Sequence, residues 1–181
     1  TLAWSLRSTA TAVTGLSDAL VENNSMYIGY DPVSTTSTAE KNVAVGVTAL
    51  DAITSGDNNV AIGYDALTAN TSGRWNTAMG AYALRAATTE PNLTAVGFGA
   101  AQSNTSGSGT VALGFNALTT NTTGNYNTAL GMYALRFNLT GAYNIATGYK
   151  ALTANTTGTR NLAIGFGAYD AADTENDNLA I

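Results

Sequence analysis

The densest group of side chains able to do chemistry is the carboxylate cluster Asp170, Asp173, Glu175 and Asp177. Hard cations such as calcium are held by several such oxygens. The spacing matches no established calcium loop, however, and a solvated acidic segment is the expected reading. Asp51, Asp57 and Asp65 stand apart on different turns, with no His or Lys partner in an evident arrangement. The chain has no His and no Cys, which removes the commonest general base and the thiolate. No nucleophile, base and oxyanion donor converge. The expectation is a protein that is not an enzyme and that uses no cofactor and no metal.

Other residues with chemical potential fall into a pattern. Glycosylation-like triplets occur at Asn70, Asn104, Asn121, Asn138 and Asn155, but each sits at the same place in a repeat, which already explains them. Threonine pairs (Thr71-Ser72, Thr105-Ser106, Thr122-Thr123, Thr156-Thr157) raise ice binding, which uses flat Thr arrays. Leu139 and Asp173 interrupt the row. Trp75, Tyr126, Tyr143 and Arg160 fall in the two columns after an inner glycine. Tyr82 and Arg85 recur as Tyr133 and Arg136, 51 residues later. Exposed aromatics with Arg can grip a glycan or a protein partner; packing at a rim is the expected role.

The 181 residues suffice for one domain. Only 10% are charged, the formal net charge is −5, and the seven Lys and Arg are scattered. Without a basic stripe, nucleic acid is not an expected partner. No apolar run reaches membrane-spanning length, so membrane insertion is not expected either. Nothing at the start reads as a secretion signal. The chain lacks an initiator Met and stops in mid-motif, so it is expected to be a piece of something longer.

What positions all these residues is a repeat. Coils open at Gly29, Gly46, Gly63, Gly80, Gly97, Gly114, Gly131, Gly148 and Gly165, each 17 residues after the last, and run without slip to Ile181. The consensus reads Gly, aromatic, variable, Ala, Leu, two variable, Asn, Thr, Thr/Ser, Gly, two variable, Asn, Val/Thr, Ala, Ile/Val/Leu. The expected fold is all-β: a parallel β-roll or β-solenoid of nine coils over residues 29–181, each coil about two strands and two turns. At about 4.8 Å per rung, nine rungs make a rod roughly 43 Å long.

Strand side chains alternate faces. Thr128, Leu130, Met132 and Ala134 share one face, expected to point into the coil's core with the aromatics Tyr30, Tyr64, Phe98, Phe115, Tyr149 and Phe166. Asn127, Ala129, Gly131 and Tyr133 share the other. On it Ala44, Ala61, Ala78, Ala95, Ala112, Ala129, Ala146, Ala163 and Ala180 form one ladder. Two readings are open: an alanine that fits a crowded corner of one roll, or a bare face lying against another copy. A thin roll buries little apolar surface alone, so the ladder is expected to be a homotrimer interface. The Asn column of Asn42, Asn59 and Asn76 reads as a hydrogen-bonded stack.

Residues 1–28 lie outside the repeat and form an N-terminal linker or cap. Val13, Leu16 and Leu20 have helical spacing, compatible with a short coiled coil or with an irregular cap. The first coil is degenerate, with Pro32 in an Ala column, as terminal caps often are.

The motif Asn-x-Ala-Ile-Gly, as in Asn59–Gly63 and Asn161–Gly165, resembles the head repeats of YadA-type trimeric autotransporter adhesins. The fuller run from Asn121 to Gly131 is similar to repeats in phage tail fibres. The resemblance covers 29–181 and implies a left-handed, homotrimeric roll. It further implies a structural, viral tail-fibre segment in the extracellular virion tail that contributes to host attachment. Its partners would be other fibre or virion proteins and a host-surface glycan or protein. The bacterial cell surface is the alternative setting, with the chain as an adhesin head. The adhesin coil is shorter than 17 residues, so its turn geometry does not carry over.

Overall fold

The computed structural model describes residues 19–29, 38–171 and 174–181. The strands are β1 (Ala19–Glu22), β2 (Ser25–Ile28), β3 (Val43–Val45), β4 (Val60–Ile62), β5 (Thr77–Met79), β6 (Thr94–Val96), β7 (Val111–Leu113), β8 (Thr128–Leu130), β9 (Ile145–Thr147), β10 (Leu162–Ile164) and β11 (Leu179–Ala180). They form one sheet in sequence order. From β2 onward every pairing is parallel and in register, with Ala44 opposite Ala61, Ala61 opposite Ala78, and so on to Ala163 opposite Ala180. The described residues thus form an all-β solenoid whose rise is set by the 17-residue repeat.

Each coil contributes one regular strand, not two. The strand is the segment with β-branched or long apolar residues around the invariant Ala, and it stops at the coil-opening glycine. At Gly114, φ is 138°, a region closed to other residues. A Cβ there would also come within 2.6 Å of the Gly131 carbonyl group in the next rung. The far side of the coil is held to its neighbours by backbone bonds such as Leu118 N–H to Ala134 O at 3.0 Å and Asn116 N–H to Phe98 O at 2.9 Å. Its backbone is not extended: Leu50, Leu67, Leu84, Leu118, Leu135 and Leu152 all have φ between 48° and 54°. A left-handed leucine costs roughly 1 kcal/mol or more. It persists because this conformation turns both members of the Ala-Leu pair inward, where both are fully buried.

Along the strand the two faces are the reverse of the sequence expectation, although Ala134 does point inward as expected. Ala129, Ala134 and Leu135 fill the interior, while Thr128 and Leu130 are half-buried on the outside and Met132 is exposed. Tyr64, Phe98, Phe115 and Phe166 also lie on the surface. Ala44, Ala61, Ala78, Ala95, Ala112, Ala129, Ala146 and Ala163 are buried within the single chain, and Ala180 is half-buried in the last strand. A ladder already enclosed by its own coil cannot seat a sister chain, so its role is the crowded interior. Interiors are close-packed, and a rung this short leaves width for a methyl group facing a leucine, not for two large side chains.

Two buried asparagine columns complete the interior. In one, Asn127 Oδ1 accepts the Asn144 N–H at 3.0 Å and Asn144 Oδ1 accepts the Asn161 N–H at 3.0 Å. Their Nδ2 atoms donate to the Gly141 and Gly158 carbonyls at 2.7 and 2.8 Å. In the other, Nδ2 of Asn121, Asn138 and Asn155 donates to Oδ1 of Asn104, Asn121 and Asn138, each at 2.8 Å. These carboxamides supply partners that a corner backbone would otherwise lack. They also explain the inner glycine. A Cβ on Gly73 would lie 2.7 Å from the Glu90 carbonyl oxygen and 2.9 Å from Asn76 Nδ2, and it would strike Asn70 Oδ1 as well. Where that glycine is replaced by Glu90, both asparagine columns change too, to Ala87 and Leu93. The Glu90 carboxylate then accepts the Thr88 and Thr89 N–H groups at 3.1 and 3.0 Å, a local cap in place of the carboxamide.

At the N-terminal end, β1 pairs antiparallel with β2, and β2 joins the roll in register with β3. Leu20 therefore lies in a strand rather than in the helix its spacing had offered, and Val13 and Leu16 lie outside the described residues. The sheet of the roll begins before Gly29.

Two stability measurements follow from this interior. Ala112→Leu should destabilise by about 1–3 kcal/mol through overpacking, whereas Val111→Ile on the outer face should stay within about 0.5 kcal/mol; denaturant melts compare them. Asn144→Ala strands the Asn161 N–H and should cost about 1–3 kcal/mol. An unchanged midpoint would show that the amide column does not hold the stack.

Candidate functional site

With alanine, leucine and asparagine inside, the larger side chains are left outside, and the repeat gathers them into rows. The strand residues flanking each buried alanine give two rows. One is Val43, Val60, Thr77, Thr94, Val111, Thr128, Ile145 and Leu162; the other is Val45, Ile62, Met79, Val96, Leu113, Leu130, Thr147 and Ile164. All are half-buried or exposed, with Met79 at 41% and Ile145 at 44%. The sheet therefore presents an apolar outer face along the rod.

Across the glycine turn runs a ladder of rings. Tyr64, Tyr82, Phe98, Phe115, Tyr133, Tyr149 and Phe166 follow one another with centroid separations from 5.1 to 6.2 Å. That spacing is within the range of favourable aromatic pairs, worth roughly 0.5–1.5 kcal/mol each beyond burial. Tyr82 and Tyr133 enter from the column one residue later, so two columns merge into one ladder. Sequence reasoning missed this because it assigned Tyr64, Phe98, Phe115, Tyr149 and Phe166 to the interior and set Tyr82 and Tyr133 apart from them. The usable signal was their recurrence in consecutive coils directly after the glycine whose conformation turns the chain.

Cations are laid on this ladder. Arg85 Cζ lies 5.5 Å from the Tyr82 centroid, Arg136 Cζ 4.7 Å from Tyr133 and 4.9 Å from Phe137, and Lys150 Nζ 5.4 Å from Tyr149. The paired Tyr and Arg positions singled out in the sequence thus do meet, as cation–π contacts. Phe137 and Lys150 complete the second pair and carry no signal in the consensus.

On the other side of the strand, Trp75, Tyr126, Tyr143 and Arg160 share one exposed column with φ between 55° and 59°. Tyr126 and Tyr143 stack at 5.2 Å, and the Tyr126 ring lies over Gly109, where an added Cβ would meet it at 2.6 Å. Arg160 instead binds Asp177 of the next coil with a two-pronged contact at 2.6 and 2.7 Å. The Arg160 guanidinium holds the Asp177 carboxyl below its ordinary pKa, and Asp177 in turn raises that of Arg160.

Among the described residues the acidic cluster does not converge. Asp177 faces Arg160, Glu175 accepts the Tyr169 hydroxyl, and Asp173 lies outside the described residues. That contact raises the Tyr169 pKa. Among the described residues there is no group of three His, Cys, Asp or Glu side chains that could hold a metal ion. Asp57 and Asp65 pair with Arg74 and Arg85 at 3.6 and 3.3 Å. The glycosylation-like asparagines Asn70, Asn104, Asn121, Asn138 and Asn155 are fully buried in the amide column. In the threonine row, Thr71, Thr105 and Thr122 donate their hydroxyls to carbonyls of the following coil at 3.2, 3.0 and 2.9 Å. Those hydroxyls are occupied by the stack itself, which weighs against an ice-binding array.

Among the described residues, the surface features that could recognise a partner are the apolar sheet face, the ring ladder with its seated cations, and the Tyr126–Tyr143 pair. Comparison with known proteins returns no matching family model, no matching curated relative and no matching solved structure.

Proposed function

We propose that this chain is a structural, non-enzymatic segment of a trimeric viral tail fibre, a left-handed rod that contributes to host attachment. The observation that carries the reading is the apolar outer face of the sheet, which runs from Val43 to Ile164 without a charged residue in either row. Exposed apolar patches of this extent are unusual on a lone soluble chain and mark interaction surfaces. At about 4.8 Å per rung and roughly 10–15 Å across, the face offers on the order of 400–600 Å². A chain in a cyclic trimer meets two sisters, so this face and the flanking rings are shared between two contacts, each smaller than the roughly 800 Å² per partner of a standard interface. Parallel sister rods would match row to row because all share one repeat. The buried alanines take no part in this contact.

The resemblance of Asn121–Gly131 to tail-fibre repeats supports the viral setting. The shorter Asn-x-Ala-Ile-Gly motif is common to that reading and to the head of a bacterial surface adhesin, and both use the same face.

Light scattering on the folded chain tests the assembly: the expected mass is three times the 18.4 kDa of one chain. Leu113→Lys combined with Ile145→Lys should give single chains with an unchanged β-type circular dichroism spectrum. A single-chain mass for the unaltered protein at all concentrations would overturn the reading.

A further inference from the structure

The distribution of charge along the rod is uneven in a way the repeat does not require. The chain as a whole carries a net charge of −5, yet residues 91–169 contain no Asp and no Glu, while they include Arg136, Lys150 and Arg160. Among the described residues, Lys41, Arg74, Arg85 and Arg160 each lie within 4.0 Å of a carboxylate. Arg136 and Lys150 do not. Each instead rests on aromatic rings.

An internal comparison shows what this means for Arg136. The segments Tyr82-Ala-Leu-Arg85 and Tyr133-Ala-Leu-Arg136 occupy the same place in their coils. In both, the guanidinium lies over the tyrosine. Arg85 is also paired, at 3.3 Å, with Asp65 of the preceding coil. The residue in the Asp65 column before Arg136 is Asn116. The acid that neutralises the first arginine is thus replaced by a neutral amide at the second, and Phe137, 44% exposed, adds another ring. Lys150 lies on Tyr149 of the next coil, so a second cation sits on the neighbouring ring of the ladder, with the Tyr133 and Tyr149 centroids 6.2 Å apart.

We propose that Arg136 and Lys150, seated on Tyr133, Phe137 and Tyr149, form a binding site for an acidic saccharide, a chain of pyranose rings bearing carboxylates. A guanidinium in contact with two rings, at 4.7 and 4.9 Å from their centroids, has fewer rotamers to lose, and its planar fork matches a carboxylate with two parallel hydrogen bonds. The exposed ring of Phe137 offers an apolar face to the C–H side of a pyranose. Lys150 serves a second carboxylate or reinforces the first as a compact charge. The acid-free stretch around the site removes repulsion toward such a polymer. Sialic and uronic acids share this chemistry. The inference deepens the attachment reading by naming a ligand class and rests on that reading for its biological sense, but the site lies within one chain and does not require the trimer.

Affinity electrophoresis of the full chain through gels containing polysialate, polygalacturonate, neutral dextran or polyglutamate tests the site. Retardation by one or both acidic saccharides, and not by dextran or polyglutamate, is expected. Which of the two retards more identifies the acid. Asn116→Asp recreates the Asp65–Arg85 arrangement and should weaken binding by about tenfold or more because the new carboxylate occupies Arg136, and Arg136→Gln should do the same by removing a charged hydrogen-bonding group. Arg74→Gln, at an arginine paired with Asp57 and off the ring ladder, should leave retardation unchanged. Circular dichroism melts establish that each variant is folded. No retardation by either saccharide, equal retardation by polyglutamate or dextran, or full retention of binding by folded Asn116→Asp would overturn the proposal. A single-chain mass in light scattering together with saccharide binding would sink the assembly and leave this site standing.

Discussion

A rung closed after 17 residues encloses very little space, and most other features of the chain are consequences of that narrowness. The interior accepts a methyl group from the strand, a methyl and a leucine from the opposite side, and two carboxamides at the corners. It accepts them in most rungs because the next rung repeats the same walls; Ile53, Ala87, Leu93, Ala101 and Thr110 are the buried exceptions. Most other large residues are left outside, with Tyr27 and Ile53 as buried exceptions. Val, Ile, Leu, Met, Phe and Tyr therefore sit where a larger domain would place polar residues, and the surface carries the apolar character usually found in a core.

Narrowness also explains the unusual backbone. A β-strand alternates its side chains and cannot send two neighbours to the same side, yet Ala117 and Leu118 both point inward. The left-handed conformation at Leu118, with φ of 53°, is what permits it. Its cost recurs in coil after coil and is offset by fully buried leucine side chains, each worth about 1.5–3 kcal/mol. The corners raise a different problem, since their backbone groups turn away from the regular sheet. The asparagine columns satisfy them, and the inner glycine follows because a Cβ would occupy the place of those amides. Glu90 is informative here: with Ala87 and Leu93 replacing the amides, the glycine is no longer required, and a carboxylate caps the turn from a different direction.

The architecture was legible in the sequence because an unbroken period leaves few ways to stack strands. The register of all the parallel pairings, the hydrogen-bonded Asn column and the tight glycine turns follow from it. The facing of the strands was not legible by the usual rule that large apolar residues lie inside. Ala129 occupies a column that is alanine in every coil from Ala44 to Ala180, with Tyr27 in the end strand β2 as the exception, whereas the columns of Thr128 and Leu130 vary from Thr to Ile and from Thr to Met. Constant volume marks an enclosed position, and variable volume an open one. Composition pointed one way, uniformity the other, and for a rung this thin uniformity is the better guide. The cation sites depended on chance neighbours across coils, such as Asn116 and Arg136, which no single consensus column displays.

What the rod offers to partners follows from the same geometry. Rows of like residues on a straight lattice suit contacts that are themselves repetitive, whether sister rods or polymeric saccharides, and the bare interior is left with structure alone. The most direct test of this arrangement is a map of proton–proton contacts by nuclear magnetic resonance on the isotope-labelled chain. Side-chain amide protons of Asn127 should contact the Asn144 amide and Gly141, one rung away, while the methyls of Leu135 contact only Ala and Leu side chains of the interior. Contacts from Leu135 to the side chains of Thr128 and Leu130, with Asn127 amide protons exchanging freely with water, would contradict it.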